Sequence, residues 1–239
     1  MTLIEHLEEL RRRIFIVLVA WGIGASVAFV YRLELLEWLK APLPADITLN
    51  VFRITEQFSV SMQTAAFFGL LLSSPVILGQ IWGFIAPGLY KEEKRWAVPF
   101  VLFSVLAFAS GVMFSYYVIL PPSVRILLTF LQGTVENEIS IASYISTLLA
   151  LMAVMGIIFE MPVLGFLFAR IGLLRANFLG QYRRYAVIIG VTLAAVITPT
   201  GDPFSLSLVA IPLLLLYEVT IIVVRLAQRR TPVSEELSP

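Results

Sequence analysis

Residues 185–197 read YAVIIGVTLAAVI, residues 198–203 read TPTGDP, and residues 204–224 read FSLSLVAIPLLLLYEVTIIVV. Two apolar runs with one acid between them, joined by a six-residue turn, predict a hairpin of helices inside a membrane. The first arm, about thirteen residues as helix, covers roughly 20 Å against roughly 30 Å of hydrocarbon. The second arm contains Pro212, so it is expected to be interrupted and short too. Such a hairpin leaves a water-accessible hollow or thins the bilayer around it.

Four more apolar stretches precede it, at about 14–31, 57–86, 96–120 and 144–169. The predicted fold class is therefore an all-α integral membrane protein with six transmembrane helices. Residues 1–226 are expected to form one membrane domain, and 227–239 a disordered tail. Composition agrees: of 239 residues 59% are hydrophobic and only 14% charged. A soluble domain runs nearer a quarter charged, and one this size could not bury the excess. A soluble enzyme and a disordered chain are excluded, and a net charge of +1 supplies no footprint for nucleic acid. With no cysteine there is no disulfide framework or thiol nucleophile, and one histidine argues against a histidine-based metal site. Small Ser26 and Ala28 could mark a signal-peptide cleavage site, but the acids Glu5, Glu8 and Glu9 and the length of the run argue for a retained helix.

Basic residues set the orientation. Arg11, Arg12, Arg13, Lys91, Lys94, Arg95, Arg170, Arg175, Arg183, Arg184, Arg225, Arg229 and Arg230 fall on one side of the six-span layout, thirteen of the seventeen Lys and Arg. Only Arg32, Lys40, Arg53 and Arg125 fall on the other. Both termini are thus expected in the cytoplasm. The outer connections 32–56 and 121–143 are long and partly apolar, so they should fold back as short helices and caps.

Glu160, in FEMPV at 159–163, is the costly residue. A carboxylate deep in a span costs on the order of 2.5–3.5 kcal/mol, so it is neutral and bonded to a neighbouring helix or it faces a hollow. Pro162 should kink that helix. Glu218 is expected to pair with Arg225 or with interfacial groups. Pro75 should bend the second span, and the hydroxyls of Ser73 and Ser74 can bond the freed carbonyls. Ser104, Ala107 and Gly111 share one helix face, as in tight packing. Glu8 with Arg12 and Glu9 with Arg13 sit at the spacing of helical ion pairs. His6 reads as a helix-start residue, and no catalytic constellation is present. A small-solute transporter would show a buried acid too, but also a second polar cluster and a repeat.

EHLEELRRR at 5–13, SSPVILGQIWGFIAPGLYKEEKR at 73–95, FEMP at 159–162 and AIPLLLLYE at 210–218 together resemble the TatC family, the receptor subunit of the twin-arginine protein translocase. The resemblance runs through about residues 4–226. It implies a cup-shaped bundle in a bacterial or archaeal cytoplasmic membrane, without enzymatic activity or cofactor. It implies binding of signal peptides that bear two consecutive arginines, at Glu9 and Glu93, with Phe84, Pro87, Leu89 and Tyr90 shaping the connection and Arg11 beside the site. TatA-type and TatB-type single-span proteins are the implied partners in a multi-copy assembly that moves folded proteins on the proton-motive force. Glu160 matches the family's intramembrane glutamate, Pro42 a proline of the first outer loop, and Asp202 an acid of the last outer turn. Two departures stand out. Glu92 replaces a frequent histidine beside the site, and Leu206 a frequent glutamine associated with partner docking.

Overall fold

The computed structural model describes residues 3–44, 47–85, 97–129, 139–198 and 202–228. These residues are almost wholly helical. Five helical stretches are long and apolar enough to cross a membrane: Ile4–Val30, Glu56–Phe84, Val98–Ile126, Ile141–Arg170 and Pro203–Gln228. The fifth predicted span is a helix too, but at 15 residues it extends only about 22 Å. Contacts group the chain into two compact units, 1–156 and 157–239.

The first unit begins with α1 (Leu3–Val30), which takes the charged leading segment and the first span into one helix. It runs antiparallel to α3 (Glu56–Ile85). The two approach at Gly24 and Gly69: a Cβ on Gly69 would lie 2.5 Å from the Ala25 nitrogen. Only glycine permits that separation, a common device where lipid supplies no drive to pair helices. Trp21 Nε1 closes the contact by donating to the Ala66 carbonyl at 2.9 Å. Within α3, Pro75 lacks the N–H that Leu71 would accept, and Ser74 Oγ donates to that carbonyl at 2.8 Å, as the sequence predicts. The helix continues.

The outer connection 32–56 folds back as a cap, as expected. Helix α2 (Arg32–Lys40) ends with its carbonyls held by two tyrosines: Tyr116 donates to Trp38 at 2.5 Å and Tyr144 to Leu39 at 3.0 Å. Trp38 stacks on Tyr116 at 3.9 Å, and Leu39 is fully buried. Two short strands, β1 (Leu49–Asn50) and β2 (Ile139–Ser140), then join the outer connections in parallel. The second outer connection differs from expectation: its first part extends the third span instead of folding back. After α4 (Ala97–Phe114), the backbone widens into a π turn (Ser115–Ile119) and re-enters α-helix as α5 (Leu120–Thr129). Pro121 and Pro122 cannot donate, so a wider turn just before them lets the chain stay helical. Gly111 of α4 lies against α6 (Ile141–Phe159), where an added Cβ would fall 2.4 Å from the Met155 carbonyl. The small-residue face is a packing face.

In the second unit, α-helical bonding lapses at Glu160 and resumes as α7 (Met161–Arg170), with Pro162 in its first turn. The missing proline N–H is harmless there, because first-turn donors have no intrahelical partner. Helix α7 ends in a Schellman turn: Gly172 adopts φ 76°, and the Leu173 N–H reaches the Phe168 carbonyl at 2.9 Å. Helix α8 (Ala176–Gln181) leads into α9 (Arg183–Ile197), and α10 (Pro203–Gln228) returns.

Three expectations are corrected here. The sixth helix is not short: α10 has 26 residues and passes through Pro212 unbroken. One lost N–H is a smaller cost than freeing a whole turn of backbone in an apolar setting. The tail does not begin at 227: Ala227 packs in a core with Ala169, Ala176 and Val224, and Gln228 hydrogen-bonds Leu174 and Ala176. Residues 229–239 lie outside the described residues. Glu218 pairs with Arg183 at 2.7 Å and not with Arg225. In the α9–α10 hairpin Arg183 comes alongside, whereas Arg225 lies two turns along the same helix, about 10 Å away.

Candidate functional site

The charged start of α1 and the end of α3 meet because the helices are antiparallel. Glu9 and Arg13, four residues apart, face α3 together, and the expected pair forms: Arg13 Nε donates to Glu9 Oε1 at 3.0 Å. Among the described residues, Glu8 and Arg12 form no such pair. Arg13 also reaches across. Its Nη1 donates to Gln80 Oε1 at 3.1 Å and its Nη2 to the Gly83 carbonyl at 2.9 Å. The guanidinium thus ties the carboxylate to the end of α3, using the several donors that a fixed fork supplies. A Cβ added at Gly83 would fall 2.3 Å from Arg13 Nη1, so a larger residue there would displace the guanidinium.

The second oxygen of Glu9 is the notable atom. Oε2 is buried and accepts no hydrogen bond from the described residues. A carboxylate has capacity for about four acceptor contacts, and Arg13 uses only the Oε1 side. Beside it, His6 stacks on Phe84 at 4.4 Å, a flat apolar wall next to an acid. This arrangement can accept a cation with planar N–H donors.

The predicted site residues divide as follows. Glu9 and Phe84 both lie at this junction, Phe84 through its stack on His6, while Arg11, two residues past Glu9, is exposed on the far side of α1. Pro87, Leu89, Tyr90 and Glu93, with the neighbouring Glu92, lie outside the described residues. Arg13 and Gln80 were missed as site residues. The spacing of Glu9 and Arg13 signalled the first; nothing local signals that Gln80 faces them. His6 was read only as a helix starter, yet it shapes the wall.

The remaining candidates are placed elsewhere. Pro75 sits in mid-α3. Ala41 and Pro42 are the middle of a turn closed by the Leu43 N–H on the Lys40 carbonyl at 2.9 Å. Asp202 caps α10, its Oδ1 accepting the Ser205 N–H at 2.7 Å with Pro203 at the first helical position. Glu160 is enclosed, 6% exposed, where α6 gives way to α7. Among the described residues no cluster of His, Asp or Glu could hold a metal ion.

Residues 5–212 match the family described as Sec-independent protein translocase protein (TatC). The chain belongs to the TatC family. It is 40% identical to the Sec-independent protein translocase protein TatC of Deinococcus radiodurans, over 98% of this chain and 89% of the relative. Identity to the TatC protein of Aquifex aeolicus is 37%, over 96% and 97% of the two chains. A crystal structure titled as the twin arginine translocase receptor TatC superposes with a TM-score of 0.84 at 37% identity, covering 94% of this chain and all of that one. This TatC-family chain is thus a protein translocase component with several membrane-length helices, and the family's work is transport, not catalysis.

Proposed function

We propose that this TatC-family chain is the receptor that reads two consecutive arginines in the signal peptides of folded precursor proteins. The observation that carries the reading is the half-engaged carboxylate of Glu9, its Oε2 buried without a hydrogen bond, fixed by Arg13 and flanked by the His6–Phe84 stack. A second acid must match the second arginine, and Glu93 is that acid by family resemblance. Arg11, Phe84, Pro87, Leu89 and Tyr90 border the peptide. The solved relative, described as a twin arginine translocase receptor, points the same way.

In this reading both termini and the site lie in the cytoplasm, consistent with the thirteen-to-four distribution of basic residues. Six spans enclose a cup in the cytoplasmic membrane, single-span TatA-type and TatB-type proteins dock on it, and the proton-motive force drives transport. Glu160 serves partner assembly or transport and not peptide binding. With Leu206 in place of a polar residue, docking on α10 there rests on apolar contact.

The test is a binding titration of the detergent-solubilised chain with a fluorescent twin-arginine signal peptide and its twin-lysine counterpart. Lysine offers a point charge without the planar fork, so the arginine peptide should bind roughly tenfold or more tightly. Equal affinity for the two peptides would overturn the receptor reading.

A further inference from the structure

We propose that residues 173–185 form a binding surface for the headgroups of anionic phospholipids. The inference goes beyond the receptor reading and does not rest on it. Helix α7 ends at Arg170 and α9 begins at Arg183, both apolar helices, so the stretch between them lies where hydrocarbon gives way to headgroups. On this stretch Leu173 is 74% exposed and Phe178 53%, although polar side chains would be the ordinary choice for a solvated loop. Phe178, Tyr182 and Tyr185 recur at spacings of four and three, with ring centroids 4.6 and 5.7 Å apart, a continuous ladder of exposed rings. Tyrosine rings of this kind settle at the membrane interface.

Charge selects the kind of lipid. From 161 to 201 the chain contains four arginines and no acid. Among the described residues Glu218 pairs with Arg183 on this stretch and is taken up by it. Arg175 and Arg184 are exposed with no carboxylate partner among the described residues, and Arg184 lies over Tyr185 at 4.8 Å. A phosphodiester offers guanidinium forks the bidentate oxygens they lack here, while its acyl chains meet Leu173 and Phe178. The surface is held in place: Gln228 Nε2 donates to the Leu174 carbonyl at 3.0 Å and Tyr217 to the Leu179 carbonyl at 2.8 Å. Neither tie involves the exposed arginines.

The experiment uses the full chain in nanodiscs of phosphatidylcholine doped with a photoactivatable phosphatidylglycerol, with crosslinked peptides mapped by mass spectrometry. Label is expected to concentrate in 173–185, and a photoactivatable phosphatidylcholine should not reproduce this. Replacing both Arg175→Gln and Arg184→Gln should cut that label by about fivefold for each arginine at most. The control Arg32→Gln with Arg53→Gln should leave it unchanged. Equal labelling by the two lipids in the parent, which needs no variant, overturns the proposal. So does undiminished labelling in a folded double variant.

Discussion

At Glu9 the two oxygens of one carboxylate have different surroundings, and the consequences differ for each neighbour. Arg13 contacts Glu9, Gln80 and Gly83 at once, so Arg13→Ala should destabilise the fold by about 1–3 kcal/mol by leaving polar groups unpaired. Thermal unfolding in detergent checks this, and an unchanged midpoint would mean that the contacts are idle. Glu9→Ala removes the acceptor that the receptor reading assigns to the peptide. We expect affinity for the arginine peptide to fall about ten- to 150-fold, the equivalent of about 1.5–3 kcal/mol for a charged hydrogen bond. Glu93→Ala should act alike and Glu92→Ala less; a Glu92 effect larger than that of Glu93 would reassign the second acid. Residue-scale reading of the sequence found the Glu9–Arg13 pair because four residues make one helical turn. It missed Gln80, sixty-seven positions from Arg13, because no local rule predicts which face of α3 a distant helix meets.

Elements were legible where their chemistry is local. Serine before proline foretold the Ser74 bond to Leu71, whereas Asp202, expected only as an acid of the last outer turn, caps α10 with Pro203 at its first position. Asp202→Ala should therefore cost about 0.5–2 kcal/mol of stability. The closeness of α1 and α3 was not legible, since glycine in an apolar run is compatible with packing, kinking or nothing. Their approach gives a sharp comparison. Gly69→Ala would push a Cβ into the Ala25 backbone and should destabilise by about 1–3 kcal/mol, whereas Gly79→Ala meets open space and should be neutral or better. Matching melting points for the two variants would contradict the close contact. Pro212 misled for the opposite reason: proline is a helix breaker in water, but with apolar surroundings on every side the chain retains the remaining bonds.

For the whole molecule, orientation is a question of total charge and not of any contact. If the termini are cytoplasmic, a reporter active only outside the cell membrane should work when inserted near residue 50 or 135 and fail at residue 239. The reverse pattern would invert the receptor reading, since Glu9 would face the wrong compartment. The sequence by itself determined that the chain is a helical membrane protein, where its membrane-length helices lie, and that one arm of the last hairpin is short. Each of these follows from hydrophobic length, and length is additive along a chain. Only the tertiary structure decided which oxygen of Glu9 is left without a hydrogen bond, that the outer connection is latched by Tyr116 and Tyr144, and that Glu218 turns to Arg183. Those outcomes depend on which helix faces lie within about 3 Å of each other, and a few ångströms of helix rotation, invisible to hydropathy, decide them.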